Sequence, residues 1–108
     1  MRRHETGLTG EKQAEDYLVN RGMNVLARRY RAQDGDFIVF VEVKARPASA
    51  RGAGVMAVTP AKQRRMTHAA LDFLVQREWL TRPVRFDVVE ISAQGILYIP
   101  NAFQAARN

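Results

Sequence analysis

A carboxylate and an amine interrupt the most apolar stretch of the sequence. Residues 37–44 read Phe-Ile-Val-Phe-Val-Glu-Val-Lys, which predicts a strand that is buried on both faces. Side chains alternate along a strand, so Glu42 and Lys44 share one of its faces. Because a buried charge is costly unless it is paired or coordinated, these two side chains must be compensated by each other, by a metal or by exposure near the strand end.

Two kinds of chemistry fit this pair of side chains. One is a simple ion pair at the edge of a sheet. The other is a phosphodiesterase site, in which acidic side chains hold a divalent cation and a lysine contacts the attacking water or the phosphate. A Glu-x-Lys triplet occurs often by chance, so its place on a buried strand is what favours the second interpretation.

The first predicted helix could add a further acidic ligand. Thr9 can cap this helix, apolar residues follow at helical spacing, and Gly22 is a stop signal. Glu11 lies near the start of the helix and could supply a metal ligand. A solvated carboxylate near a helix N-terminus is also favourable in its own right, so both interpretations of Glu11 remain open.

The second predicted helix begins with basic residues. Thr59 provides an N-cap and Pro60 occupies the first helical position. Lys62 lies one turn before the inward-facing Met66, so it could face the same place as Glu42. The residues that follow suit a phosphate backbone, although a solvated basic face explains them equally well: Arg64, Arg65 and His68.

The remaining elements predict a mixed sheet flanked by helices, in the order α-β-β-α-β-β. One strand is predicted at Met23–Tyr30, an Asp34-Gly35 turn precedes the central strand, and two later strands are predicted at Val84–Ile91 and Ile96–Ile99. The second helix provides one parallel crossover inside an otherwise antiparallel sheet. A chain of 108 residues is expected to form a single α/β domain, of the α+β type, over 1–108.

The segment after the central strand is rich in small residues and basic. Pro47–Gly54 combines proline, glycine, alanine and serine, which predicts a loop over the sheet edge and a mobile substrate flap. Arg46 and Arg51 belong to this region and are therefore further candidates for contact with nucleic acid.

The overall composition favours a polyanionic partner. The formal net charge is +6 and the sequence pI is about 10.5, so nucleic acid is the expected partner, although a merely soluble basic protein has the same charge. The absence of cysteine excludes disulfides, thiolate zinc sites and cysteine nucleophiles, and fits the cytoplasm. No apolar stretch approaches the ~18 to 20 residues of a membrane helix, so no membrane association is expected.

Five short motifs run in order along nearly the whole chain: Gly10-Glu11-x-x-Ala14-x-x-Tyr17-Leu18, Gly22, Phe40-Val41-Glu42-Val43-Lys44, Ala57-Val58-Thr59-x-x-Lys62 and Arg85-Phe86-Asp87-Val88-Val89. Together they resemble the YraN-like family of small bacterial proteins. The resemblance implies a restriction-endonuclease-like fold, similar to that of archaeal Holliday junction resolvases. It implies that Glu11 is the carboxylate of the first helix and that Glu42 is a metal ligand. It also implies that Lys44 is the catalytic lysine and Lys62 the positive residue of the second helix.

One part of the family pattern is absent. The family normally carries Gly-Glu-Ile-Asp-Leu on the strand that pairs with the Glu-x-Lys strand, and its Asp is the central metal ligand. Here Arg31 runs directly into Ala-Gln and then Asp34. Asp36 cannot replace the missing residue, because six residues of extended strand put it ~20 Å from Glu42 at ~3.3 Å per residue. Asp34 and Asp36 are therefore interpreted as turn residues. Either several residues are missing from the sequence between Arg31 and Asp34, or a natural deletion has left a catalytically silent domain.

These observations give three functional hypotheses. The first is an endonuclease that depends on Mg²⁺ or Mn²⁺ and acts on phosphodiester bonds of DNA. The second is a nucleic-acid-binding module without turnover, whose binding is sensitive to salt. The third is a protein-interaction module, in which a strand edge and the segment Pro100–Phe103 dock a second copy of the chain, as in a homodimer, or another protein.

Overall fold

The computed structural model describes residues 3–27, 31–45 and 58–105, with side chains described from residue 10. Its elements follow one another in the order α1 Arg3–Asn20, β1 Asn24–Ala27, β2 Arg31–Asp34, β3 Phe37–Ala45, α2 Pro60–Arg77, β4 Val84–Ser92 and β5 Gly95–Phe103. The predicted α/β class is confirmed. The predicted loop at Pro47–Gly54, with Arg46 and Arg51, lies outside the described residues.

The strands form one mixed sheet in the order β1-β2-β3-β4-β5. β3 and β4 are parallel, whereas the other neighbouring strands are antiparallel. Parallel strands need a crossover connection, and α2 lies in the stretch of chain that joins these two. The predicted crossover through the second helix is therefore confirmed.

The strand β2 differs from the prediction. The sequence predicted one strand over Met23–Tyr30; the structure has β1 at Asn24–Ala27, residues 28–30 lie outside the described residues, and a second strand, which was not predicted, begins at Arg31. The turn after Asp34 folds this short polar segment back along β3, so that Ala32 registers with Val39 and becomes fully buried. Backbone hydrogen bonding to β3 therefore decides the structure of β2, in spite of its weak strand composition.

The helix α1 also departs from the prediction at its start. It begins at Arg3, so Thr9 is an interior residue and its predicted role as an N-cap is wrong. The segment before Thr9 contains no proline that would stop the helix. The predicted end is confirmed. Gly22 has a φ of 92°, and the Met23 amide donates to the Leu18 carbonyl at 3.1 Å, as in a Schellman motif.

The helix α2 begins as the sequence predicts. The Thr59 side chain accepts a hydrogen bond from the Lys62 amide at 3.2 Å, and Pro60 is the first helical residue. At the other end Glu78 has a φ of 60°, and the Trp79 amide donates to the Leu74 carbonyl at 2.8 Å. The cap at Glu78 turns the chain so that Trp79 packs against the core below α2.

Each face of the sheet carries its own hydrophobic core. On one face α1 places Leu18 against a cluster that includes Val39. On the opposite face α2 places Leu74 against a cluster that includes Phe40. The alternation of side chains along β3 produces this division, so the even-numbered residues of β3 face α2. Neither helix, within the described residues, is long and apolar enough to cross a membrane.

Candidate functional site

The structure brings Glu42, Lys44 and Lys62 together into what we name the lysine cluster. The Lys44 Nζ lies 3.1 Å and the Lys62 Nζ 3.2 Å from the same carboxylate oxygen, Oε1 of Glu42. Glu42 and Lys44 reach this point because they occupy even-numbered positions of β3. Lys62 reaches it because the Thr59 cap and Pro60 start α2 two residues earlier. The predicted convergence of Lys62 on the Glu-x-Lys pair is confirmed.

The lysine cluster is partly open to solvent. The side chains of Lys44, Glu42 and Lys62 are 21%, 22% and 27% exposed. Two ammonium groups face one carboxylate, so the three side chains carry an excess of one positive charge when all are ionised. The cluster is therefore neither a neutral buried ion pair nor a set of freely solvated charges, and its excess charge can attract an anion.

The two amines of the lysine cluster perturb each other. The neighbouring Lys62 amine and, after it, burial lower the pKa of Lys44, and attraction by Glu42 offsets part of this change. The pKa of Lys62 is raised, first by its interaction with the Lys44 amine and then by Glu42, although burial opposes the change. Lys44 is therefore the amine that first loses its proton as the pH rises.

A second carboxylate lies on the same face of the sheet. Glu90 of β4 is fully buried and registers with Lys44 of the parallel strand β3. Glu90 was not among the predicted site residues, although a carboxylate in the predicted strand at 84–91 also needs compensation. Glu42 and Glu90 thus give this face two acidic side chains close to its two lysines.

The described residues do not supply a full ligand set for a divalent cation. Mg²⁺ takes six oxygen ligands, and enzymes usually provide at least one or two carboxylates with water and substrate. Among the residues that the structure describes, no three histidine, aspartate or glutamate side chains converge. Glu11 is an exposed residue of α1, and α1 packs on the opposite face of the sheet from Glu42. The Glu42 oxygen is already held by two ammonium groups.

The predicted nucleic-acid contacts divide into two groups. Arg64 and Arg65 are exposed residues of α2, and the positive charge of Arg65 is close enough to lower the pKa of Lys62. Arg65 therefore extends the basic surface beside the lysine cluster, whereas no contact among the described residues places Arg64 there. Arg46 and Arg51 belong to the part of the chain that the structure does not describe.

The strand pairing on either side of Glu42 shows what the absence of the family segment changes in the described part of the sheet. β2 pairs with β3 only from Phe37 to Phe40, so in the described part of the chain Val41–Ala45 are paired on the β4 side alone. The sequence has no acidic residue between Asp16 and Asp34 that could take the place of the family Asp. The described strands therefore leave Glu42 without the neighbouring carboxylate that the resemblance implied.

A second polar group, the aspartate cluster, lies on the α1 face of the sheet. It consists of Asp34, Arg85, Asp87 and Tyr98. The Arg85 guanidinium donates to both carboxylates at 3.0 Å, and Asp87 also accepts from the Tyr98 hydroxyl and, at 2.8 Å, from the Asn101 amide. Burial and then Asp87 raise the pKa of Tyr98. Asp34 was interpreted as a turn residue, but it ends β2 and also holds Arg85 in place.

Comparison with known proteins identifies the family. Residues 10–91 match the model of the uncharacterised protein family UPF0102. A UPF0102 protein from Saccharophagus degradans is 40% identical, with 93% of each chain covered. Similar proteins from Thermodesulfovibrio yellowstonii and Lachnoclostridium phytofermentans are 38% and 40% identical, over 95% and 97% of this chain and 99% and 98% of theirs.

The same comparisons show a gap inside the chain. The match to the Saccharophagus degradans protein runs over 110 aligned positions, whereas 93% of 108 residues is about 100, so about ten positions have no residue in this chain. This difference agrees with the absence of the Gly-Glu-Ile-Asp-Leu segment. The extent of the match leaves the family itself clear: the chain belongs to UPF0102, the family of YraN-like proteins that its motifs resemble.

Proposed function

We propose that this protein binds nucleic acid through the phosphate backbone, at the lysine cluster and the adjoining basic start of α2. The observation that carries the proposal is the meeting of two lysine Nζ atoms on one oxygen of Glu42, at 3.1 and 3.2 Å. A phosphate oxygen can replace that carboxylate oxygen, or bind the two ammonium groups together with it, because it is also a charged hydrogen-bond acceptor. Binding then needs no large movement of either lysine.

The surroundings of the lysine cluster favour an anionic ligand. α2 starts at Pro60 beside the cluster, and its first turn contains no acidic residue. The positive end of the helix dipole therefore adds to the charge of the lysines. Arg65 is exposed in the same part of the helix, and its charge acts on Lys62. The net charge of +6 provides the longer-range attraction that brings a polyanion to this surface.

The proposal is tested by fluorescence anisotropy with a labelled DNA duplex. Lys44→Gln and Lys62→Gln should each weaken binding several-fold at ~0.1 M salt and lower the salt dependence by roughly 0.9 in the log–log slope, because each removes one phosphate contact. Lys12→Gln is the matched control. Lys12 is an exposed lysine of α1 that pairs with Asp16 at 2.9 Å, far from the cluster in sequence and on the other helix.

Two results would overturn the proposal. One is the absence of duplex binding by the unmodified protein at low salt. The other is an equal loss of affinity for Lys12→Gln and for the two cluster variants, because charge alone would then explain the binding. Glu42→Gln should bind at least as tightly as the unmodified protein, since the substitution frees both lysines from their carboxylate.

A metal-dependent nuclease is the second candidate. It is favoured by the contact of Glu42 with Lys44 and by the presence of Glu90 on the same face of the sheet. The described residues offer two carboxylates here and no cluster of three acidic or histidine side chains. Cleavage of duplex or branched DNA in Mg²⁺ or Mn²⁺, abolished by Glu42→Gln and by Lys44→Gln, would establish this activity. Binding without cleavage under those conditions would leave the first proposal alone.

A further inference from the structure

A second basic surface lies at the other end of α2. We name it the arginine–tryptophan surface, and it consists of Arg77, Trp79 and Arg82. The guanidinium carbon of Arg82 lies 4.4 Å and that of Arg77 5.4 Å from the centre of the Trp79 ring. Arg77 also lies 4.4 Å from the centre of the Phe73 ring, and Phe73 meets Trp79 edge to face. Two positive charges are thus held against the Trp79 ring.

The position of these rings is fixed by the core. Phe73 and Trp79 both pack against the hydrophobic cluster between α2 and the sheet. The αL conformation of Glu78 and the hydrogen bond from the Trp79 amide to Leu74 hold the turn that presents the indole ring. The rings are therefore a rigid base, and the arginines that contact them have fewer accessible conformations than arginines on an open surface.

Among the residues that the structure describes, no carboxylate forms an ion pair with Arg77 or Arg82. Both residues are exposed, and within the described residues their contacts are with aromatic rings. Two other cations of the protein are paired with carboxylates. Lys12 pairs with Asp16, and Arg85 pairs with the aspartate cluster. A guanidinium that lies against a ring keeps its N–H groups available at its edge, where a phosphate can accept them.

We propose that Arg77 and Arg82, held against Trp79, form a second phosphate-binding site for the same nucleic acid that the lysine cluster binds. This inference rests on the proposed function and specifies the size of the ligand. Lys62 and Arg77 are 15 residues apart on α2, which places them ~22 Å apart along the axis and within about a sixth of a turn of each other. At ~3.4 Å per base pair, a duplex must cover about seven base pairs to reach both sites.

The chain provides a direct reporter for this site. Trp79 is the single tryptophan of the sequence, so intrinsic tryptophan fluorescence reports the surroundings of Arg77 and Arg82 alone. Adding a 12-base-pair duplex to the unmodified protein should change this emission in step with the anisotropy of the labelled DNA. A duplex that binds at the lysine cluster without reaching Trp79 would change the anisotropy and leave the emission unaltered.

The decisive comparison uses two double variants that each remove two positive charges. Arg77→Gln/Arg82→Gln should weaken binding of the 12-base-pair duplex on the order of tenfold at ~0.1 M salt and lower the salt slope by roughly 1.8, or 0.9 for each lost contact. Lys12→Gln/Arg21→Gln is the matched control, at one residue of α1 and at the residue that follows its end. It also removes an arginine that lies against an aromatic ring, since the Arg21 guanidinium is 4.8 Å from the Tyr98 ring.

The outcomes separate this inference from the proposed function. An equal effect of the two double variants, or tryptophan emission that does not respond to bound duplex, would contradict the second site, while sensitivity to Lys44→Gln would still support the first. The absence of any duplex binding would contradict both. If thermal unfolding shows that the Arg77→Gln/Arg82→Gln variant is not folded, the single variant Arg82→Gln takes its place in the comparison. Arg82 lies beyond the end of α2, and the expected loss in salt slope is then half as large.

Discussion

The lysine cluster and the aspartate cluster lie on opposite faces of one sheet and satisfy their charges differently. Asp87 is fully buried and accepts hydrogen bonds from Arg85, Tyr98 and the backbone of Asn101. Glu42 is about one fifth exposed and faces two lysines, which leaves positive charge in excess. The aspartate cluster buries a carboxylate whose hydrogen bonds are made within the protein, whereas the lysine cluster keeps cations available at the surface. Stability and binding should therefore respond to different substitutions.

The largest expected effect is the loss of the central carboxylate of the aspartate cluster. Asp87→Ala should lower the free energy of unfolding by about 3–5 kcal/mol, because the partly buried Arg85, the Tyr98 hydroxyl and the Asn101 amide all lose the buried carboxylate that accepts from them. Urea unfolding measures the change. Asp36→Ala, at an exposed turn residue, is the control and should stay within about 0.5 kcal/mol. A loss below ~1 kcal/mol for Asp87→Ala would mean that this cluster does not stabilise the fold.

The next effect concerns Tyr98 of the same cluster. Tyr98→Phe removes a hydrogen bond to a carboxylate and should cost about 1.5–3 kcal/mol of stability at neutral pH. Because the pKa of Tyr98 is raised in the folded protein, its contribution is complete below pH ~10 and is lost as the pH rises further. Unfolding at pH 8 and above pH 10 tests this. Tyr17→Phe is the control, and the same pH dependence in both variants would contradict the role of Tyr98.

A smaller effect on stability is expected in the lysine cluster. Glu42→Gln should change the free energy of unfolding by less than about 1 kcal/mol, because the three charges are partly solvated and the remaining amide still accepts hydrogen bonds. The same variant should bind duplex DNA at least as tightly. A destabilisation as large as that of Asp87→Ala would show that Glu42 is a structural charge, and the comparison between the clusters would fail.

The smallest effect is a shift in the titration of one amine. Lys62→Gln should raise the pKa of Lys44 towards the ordinary lysine value, because the neighbouring Lys62 amine is the main cause of its depression. The Nζ resonance of Lys44 in an NMR titration measures the change. An unaltered titration of Lys44 in that variant would mean that burial, and not Lys62, lowers the pKa.

The comparison also explains which features the sequence could predict. The lysine cluster depends on alternation along β3 and on a capped helix start, and both are local patterns visible in residues 37–44 and 59–62. The aspartate cluster joins three strands, with Asp34 and Arg85 brought together from 51 positions apart. No local pattern specifies such a contact. The role of Asp34 was therefore only partly predicted, and Glu90 was not selected.

The two structural errors have a similar cause. β2 is a polar segment whose strand structure comes from pairing with β3, so its composition predicted no strand there. The start of α1 at Arg3 lacks a strong signal, and Thr9 offered a plausible cap that the helix does not use. The arginine–tryptophan surface likewise depends on the αL turn at Glu78, for which the sequence has no glycine signal.

The salt dependence of duplex binding by Lys44→Gln/Lys62→Gln, compared with Lys12→Gln/Arg21→Gln, tests the central claim most directly. Each variant loses two positive charges, but only the first loses them from the lysine cluster. The account predicts that the cluster variant lowers the log–log salt slope by roughly 1.8 and that the control leaves it almost unchanged. Equal slopes for the two variants would contradict nucleic-acid binding at the lysine cluster.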